Sequence, residues 1–357
     1  MLHRLARIVI SATVFFGATA ATTRATCAQN AAQSAVEAFY RGRTVTIVVG
    51  SAVGGGFDAY ARLVGRHLGR FIPGTPTVIV QNIPGAGSNK AASFVALQAP
   101  RDGTIIGAVQ AIAITQPLVS DQPVPHDPSK FVMLGSANRS VYFCVVRADA
   151  SVKSFREIFD KEAIIGTSSE GASLRDYPVM LINVLGVKLR LIGGYAGSRE
   201  IMIAMERNEV QGMCGMDWSS FLTQGRDWVS GGFARLLAQE DLGGHPVMNR
   251  MSVPLTIAFA KAPEDRQVME MIYSQNLFGR PYLMGPDVPA DRVAALRKAF
   301  SSALGDKTLL AEAEKSGLDI GPMGGEELQT LVGKLYAFPP RVIERVKQSL
   351  IYKPPGR

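Results

Sequence analysis

The apolar positions of this chain fall in short blocks separated by helix-length amphipathic stretches. TVTIVVG (44–50), TVIVQN (77–82) and DGTIIGAVQ (102–110) are rich in β-branched residues and predict strands. Between them, 59–70 and the segment PGAGSNKAASFVALQ (84–98) predict helices, the second opened by a turn. The first third therefore reads as βαβ units feeding a parallel sheet. The pattern restarts at SVYFCVVRAD (140–149), a strand, followed by SVKSFREIFD (151–160), a short helix with Ser151 or Ser154 as its cap. AIIGTSSEGASLRDYPVMLINVLG (163–186) and KLRLIGGYAGSREIMIAMERNEVQG (188–212) each predict strand, small-residue loop and helix. CGMDWSSF (214–221) reads as a turn and ARLLAQ (234–239) as a short strand. The last third predicts helices over 262–278, 288–304 and 324–338, two shorter ones at 306–317 and 340–349, and a frayed end at YKPPGR.

Length changes this picture in one way. The 357 residues exceed what one core usually holds, so two α/β halves become two domains. The crevice between them, at the C-terminal ends of parallel strands, is the natural place for a site. The N-terminus is a separate object. A basic MLHRLAR, an apolar IVISATVFFGATAA (8–21) too short to span a bilayer, and a small-residue TCA (26–28) predict a signal peptide over 1–28. An uncleaved anchor is the alternative. A lipoprotein on Cys27 is disfavoured by Arg24 at the position where an apolar residue is expected. Export makes the expected location periplasmic.

Removing 1–28 takes away Arg4, Arg7 and Arg24 and lowers the formal charge from +8 to +5. The remaining basic residues are interspersed with acids, which excludes a nucleic-acid face and leaves an ordinary surface. Two cysteines survive, Cys144 and Cys214; in an oxidising compartment they either pair or stay free, and the sequence gives no separation. With no CxxC, no HExxH and no GxSxG, metal and hydrolytic chemistry find no motif, and no cofactor is called for. His67, His126 and His245 lack metal spacing and read as packing or surface residues.

Four small-residue loops carry the candidate chemistry. The first holds Ser51, Val53, Gly54, Gly55, Gly56, Phe57 and Asp58 between a strand and a helix. Its glycines let backbone approach a ligand, and the helix N-terminus offers free N–H groups, so the loop is an anion cradle. Asp58 fits a capping or bracing role. GGGFDA formally matches a dinucleotide fingerprint, yet the next strand ends VIVQN without the ribose-binding acid, and no P-loop occurs. The second loop holds Gly85, Ala86, Gly87 and Ser88. The third, TSSEGAS, holds Ser168, Ser169, Gly171 and Ser173 around Glu170. The fourth puts Tyr195, Ala196 and Gly197 before a helix. Asp217 and Trp218 follow a strand-like segment and are crevice candidates, as is Asn138.

The stretch YRGRTVTIVVGSAVGGGFDAYARLVGRHLGRFIPGTPTVIVQNIPGAGSNKAASFVA, with APRDGTIIG after it, resembles the Bug-type solute receptors of tripartite tricarboxylate transporters. MERNEVQGMCG, VPADRVAALRKAF and GGEELQTLV fit the same resemblance, which covers nearly all of the mature chain. It implies a type II periplasmic-binding-protein fold with two α/β lobes, one of residues 40–139 plus 276–350 and the other of 140–275. The crossovers are expected near 138–141 and 276–282. The implied solute is a small organic acid or an amino-acid-like molecule. It would be held by backbone N–H groups and hydroxyls of the four loops and passed to membrane permease subunits. The chain departs from the pattern in SAVGGG, which lacks the usual proline, and in Glu170, an acid beside an anion site. The implied function is binding for uptake, not catalysis. The alternative is a sensory or adaptor protein that uses the same closed form to engage a membrane receptor.

Overall fold

The computed structural model describes residues 33–352 apart from 52, 55 and 169. The expected signal segment 1–28 and the candidates Gly55 and Ser169 lie outside the described residues. The described strands form two sheets. The first contains β1 (Thr44–Val49), β2 (Thr77–Asn82), β3 (Ile105–Ala108) and β4 (Val132–Ser136). The second contains β5 (Tyr142–Arg147), β6 (Ala163–Gly166), β7 (Leu189–Ile192), β8 (Gly212–Asp217) and β9 (Ala234–Glu240). The chain then returns to the first sheet as β10 (Pro281–Met284) and β11 (Met323–Gly324). The orders are β11-β4-β10-β3-β1-β2 and β7-β6-β8-β5-β9. Each sheet has a parallel trio, β2-β1-β3 and β7-β6-β8. Each also takes in one antiparallel strand, β10 or β5, from the chain arriving out of the other lobe. The molecule is two α/β lobes built to one plan.

The helices include α1 (Gly56–Leu68), α2 (Asn89–Leu97), α3 (Ile112–Val119), α4 (Ser173–Met180), α5 (Ser198–Glu206) and α6 (Trp218–Gln224). They continue as α7 (Pro263–Ser274), α8 (Ala290–Leu304), α9 (Lys307–Lys315), α10 (Gly325–Tyr336) and α11 (Pro340–Ser349). In α1, Tyr60, Leu63, Val64 and Leu68 share one face and are buried, while Arg62 and Arg66 stay partly in solvent. Helices cover both faces of the inner strands. That is why Ile47, Val48 and Val49 of β1 and the run from Phe143 to Val146 in β5 are all buried. One apolar cluster joins the lobes: it runs from Val48 and Met133 through Val268 and Ile272 of α7 and Val346 of α11 to Cys144 and Met180.

Two expectations fail locally, and three strands go unpredicted. CGMDWSSF is not a turn: β8 ends at Asp217 and α6 begins at Trp218. Its glycines and methionines carry no strand propensity, and burial between β5 and β6 decides the outcome. Gly215 has φ +74°, and a Cβ there would stand 2.1 Å from the Ser173 carbonyl oxygen, so the first turn of α4 rests directly on the backbone of β8. The 151–160 segment makes only a 3-10 helix at Phe155–Phe159, without a side-chain cap. The strands β4, β10 and β11 carry no alternating pattern and were not legible in the sequence.

The chain crosses between sheets after β4 and again between β9 and β10. Where the crossings meet, Ser140 N–H donates to the Asn276 carbonyl at 2.9 Å. The Asn276 amide donates to the Glu240 carbonyl at 2.9 Å and accepts from the Tyr177 hydroxyl at 2.5 Å. Asp241, fully buried, accepts from Arg139 at 2.5 Å and from the N–H groups of Gly243 and Gly244. A Cβ on Gly279 would lie 2.2 Å from the Ser140 hydroxyl, so the two segments touch only because one carries no side chain.

Cys144 of β5 and Cys214 of β8 are joined by a disulfide. Beside it sits Glu240, fully buried; one carboxyl oxygen accepts from Gly215 N–H at 2.5 Å and the other has no partner among the described residues. Burial pushes this carboxyl up to about 8, against a lowering by the Gly215 N–H. Between its ordinary value of 4.5 and about 8 only the folded chain holds the proton, so this group's contribution to stability declines as pH rises across that window. Glu240→Gln keeps an acceptor for Gly215 and removes the titration. Urea denaturation should show native-like stability at the acid end of the window. At pH 8 the variant should gain on the order of a few kcal/mol. Parallel pH profiles for the two proteins would refute this.

Candidate functional site

The first jaw of the interlobe cleft is the turn from β1 into α1. Asp58, third residue of the helix, is buried and folds back on the loop. It accepts from Gly54 N–H at 2.8 Å, Arg62 Nε at 2.9 Å and the Asn82 amide at 2.9 Å. Asn82 in turn donates to the Ser51 carbonyl at 3.0 Å. Burial alone would raise the Asp58 pKa; Arg62, Gly54 and Asn82 outweigh it and hold the carboxyl below the usual range. Asp58 is thus a charged brace, and the N-terminus of α1 stays available to an anion.

The loop after β2 holds four successive residues in the left half of backbone space. Gly85, Ala86, Gly87 and Ser88 all have positive φ, at 130°, 49°, 58° and 74°. Ser88 is buried and its hydroxyl is engaged: it donates to the Gly50 carbonyl at 3.0 Å and accepts from Gln110 N–H at 3.1 Å. It ties the ends of β1 and β3 together and does not offer itself to a solute.

The second jaw is the turn from β6 into α4. Ser173 opens the helix and donates to the Gly215 carbonyl at 2.8 Å. Gly171 N–H donates to Asp176 at 3.2 Å, and Arg175 lies 3.2 Å from the same carboxylate. Burial pushes Asp176 up to about 6; Arg175 and Gly171 oppose the rise and Glu170 adds to it. Glu170 itself is exposed at the rim. Arg175 Nη1 also donates to the Leu350 carbonyl at 2.5 Å, and the Asn183 amide donates to the carbonyls of Ser349 and Ile351 at 2.9 Å. The residues after α11 therefore strap the flank of the second lobe to a helix that packs on α7 and on α3 of the first.

Between the jaws lies a cavity of about 250 Å³, lined by Phe57, Gln110 and Ile112 of the first lobe and by Gly171, Ser173, Asp176, Tyr142 and Tyr177 of the second. The crossing segment supplies its floor through Gln275, Asn276, Gly279 and Arg280. It shares Gln110, Ile112, Gly171, Asp176 and Leu350 with a wider groove of about 1170 Å³ that runs past Ala86, Gly87 and Lys90. Of the sequence candidates, Phe57, Ala86, Gly87, Gly171 and Ser173 thus face these spaces.

The others do not line them. Ser51, Val53, Gly54 and Gly56 form the back and tip of the first loop. The hydroxyls of Ser51 and Ser168 are buried without a partner among the described residues. Asn138 donates to the Tyr60 hydroxyl at 3.0 Å and belongs to the crossing. Asp217 caps α6 through Ser220 N–H at 3.0 Å. Trp218 is 7% exposed and packs on Phe143, Phe221 and His245. Tyr195, Ala196 and Gly197 connect β7 to α5 and line neither space. The polar cavity residues that sequence reasoning missed include Gln110, Tyr142, Asp176 and Arg280. None belongs to a motif; each is brought in by the topology.

No family model matches the chain, and no curated protein matches it. Solved structures do. A TctC solute binding protein from Polaromonas aligns with a TM-score of 0.66 at 17% identity, over 86% of this chain and 99% of that one. The periplasmic binding protein BugD aligns with a TM-score of 0.58 at 23% identity, over 87% and 98%. MatC from Rhodopseudomonas palustris, with bound malate, aligns with a TM-score of 0.57 at 18% identity, over 87% and 99%. Together with the two sheet orders, these alignments give the chain the two-lobed fold of the periplasmic solute-binding proteins.

Proposed function

We propose that this protein is an extracytoplasmic receptor that closes its two lobes on a small organic acid and passes it to the membrane subunits of a tripartite transporter. The observation that carries the reading is one cavity reached by a strand-to-helix turn from each lobe and floored by the chain that joins them. Ligand contact with both jaws favours the closed form over the open one, which is how binding becomes motion. A space of about 250 Å³ suits a molecule of a few carbons. The malate held by MatC supports a carboxylate as the solute class. The reading includes export by residues 1–28, a periplasmic location, and lobes of 40–139 with 276–350 and of 140–275.

Catalysis has weaker support. The one Ser–His contact at the wider groove, Ser93 to His126 at 3.0 Å, leaves the far ring nitrogen buried with no acid to orient it among the described residues.

Titration calorimetry with malate, succinate, citrate, adipate and aspartate should reveal a single saturable site, at about micromolar affinity or tighter, for at least one of them. Flat titrations throughout, with no small molecule retained in native mass spectra, would remove the reading. A second outcome follows from Asp176, which shares the cavity with Arg280 and is flanked by Arg175, Glu170 and Lys347. An incoming anion disfavours its charge, so binding takes up a proton. Affinity should therefore rise as pH falls from 7.5 toward 6. Asp176→Asn should bind more tightly at pH 7.5, by up to about tenfold, and lose most of this slope. An equally steep slope in the variant would show that the proton goes elsewhere.

A further inference from the structure

We infer that Arg280, on the floor of the cleft, is the residue that grips the solute's carboxylate and sets the preference for anions. The inference rests on the receptor reading and specifies its chemistry. Arg280 directly precedes β10 and lines the interlobe cavity. Its guanidinium lies over two rings of α1, 4.3 Å from the centre of Phe57 and 5.1 Å from that of Tyr60. Such a seat fixes the plane of the cation without neutralising it.

Its hydrogen bonds are incomplete. Nη1 donates to the neighbouring Gly279 carbonyl at 2.8 Å. Nε is buried with no acceptor, and Nη2 has none among the described residues. No carboxylate lies within ion-pair distance of it among the described residues. Asp217, whose charge is felt by the same Tyr60 and Tyr142, is committed to capping α6. A mostly buried guanidinium with one edge unassigned is costly unless something fills that edge.

Position decides what fills it. Nη2 is 3.8 Å from where a Cβ on Gly56 would stand, so the open edge adjoins the first residue of α1. The helix dipole and the guanidinium therefore act on one point, and Asp58 does not compete for it because its oxygens are bound to Gly54, Arg62 and Asn82. The N–H donors of Nη2, the one corner of the guanidinium left open, match a carboxylate oxygen.

The test compares native protein, Arg280→Gln and Arg280→Lys. Each is titrated with malate, adipate and aspartate, and with the uncharged malamide and adipamide. For whichever acids the native protein binds, Arg280→Gln should weaken binding by about 100-fold while circular dichroism stays unchanged. Arg280→Lys should recover part of the loss, and the native preference for acid over diamide should collapse in Arg280→Gln. Undiminished acid binding by Arg280→Gln would overturn the inference and leave the receptor reading standing, with the carboxylate held elsewhere. Failure of the native protein to bind any of these three, or the succinate and citrate of the wider panel, with nothing retained in native mass spectra, would remove both. Should Arg280→Gln not fold, the native protein alone decides: a diamide bound as well as its acid overturns the inference.

Discussion

The arrangement depends on a polar crossing in a protein that is otherwise held by apolar packing. Two chain segments pass between the lobes, and Asn276 is bonded from three sides where they meet: to Ser140, to the Glu240 carbonyl and to Tyr177. Hydrogen bonds with defined directions fix which segment lies against which, where apolar contact alone would tolerate sliding. The same atoms place the cavity floor, because Tyr177 and Asn276 line it. The joint between the lobes and the floor of the cavity are therefore one surface. The glycine at 279 belongs to this constraint: without it the segments stand apart and the floor widens.

Charge is distributed unevenly around that floor. Asp58 is held ionised and fully bonded, so it shapes the first jaw while adding little field to the cleft. Burial holds Glu240 mostly protonated near neutral pH, so it adds little charge there. What remains free to meet a solute is a cation on the floor and a weakened acid on the second jaw. Such a polarity favours the anionic end of a molecule toward the first lobe.

The sequence made some of this visible. The 77–82 strand was read with its observed bounds because β-branched residues recur there with no competing pattern. The glycine turn and its bracing Asp58 were readable as well, since both roles are local and chemical. β8 showed only as a strand-like stretch before Asp217, and its second half was read as a turn, because its glycines answer to a neighbouring helix and not to strand propensity. Ser88 was assigned to a ligand because its position suggested it, whereas its hydroxyl is engaged by two other segments. Arg280 sits in GRPY, which has no motif value, more than 220 residues after the ring it covers. Only the return of the chain to the first sheet sets it beside α1.

Arg175 gives the molecule one more property. The same guanidinium bonds Asp176 and the Leu350 carbonyl, two residues of the cavity wall that come from the second lobe and from the strap. Occupancy of the cavity and geometry of the strap are thereby linked variables. Whatever free energy a bound solute spends in moving Arg175 appears, with equal size, as a change in how firmly the strap is held. The end of the chain is then both a fastening for the second lobe and part of the wall of the cleft.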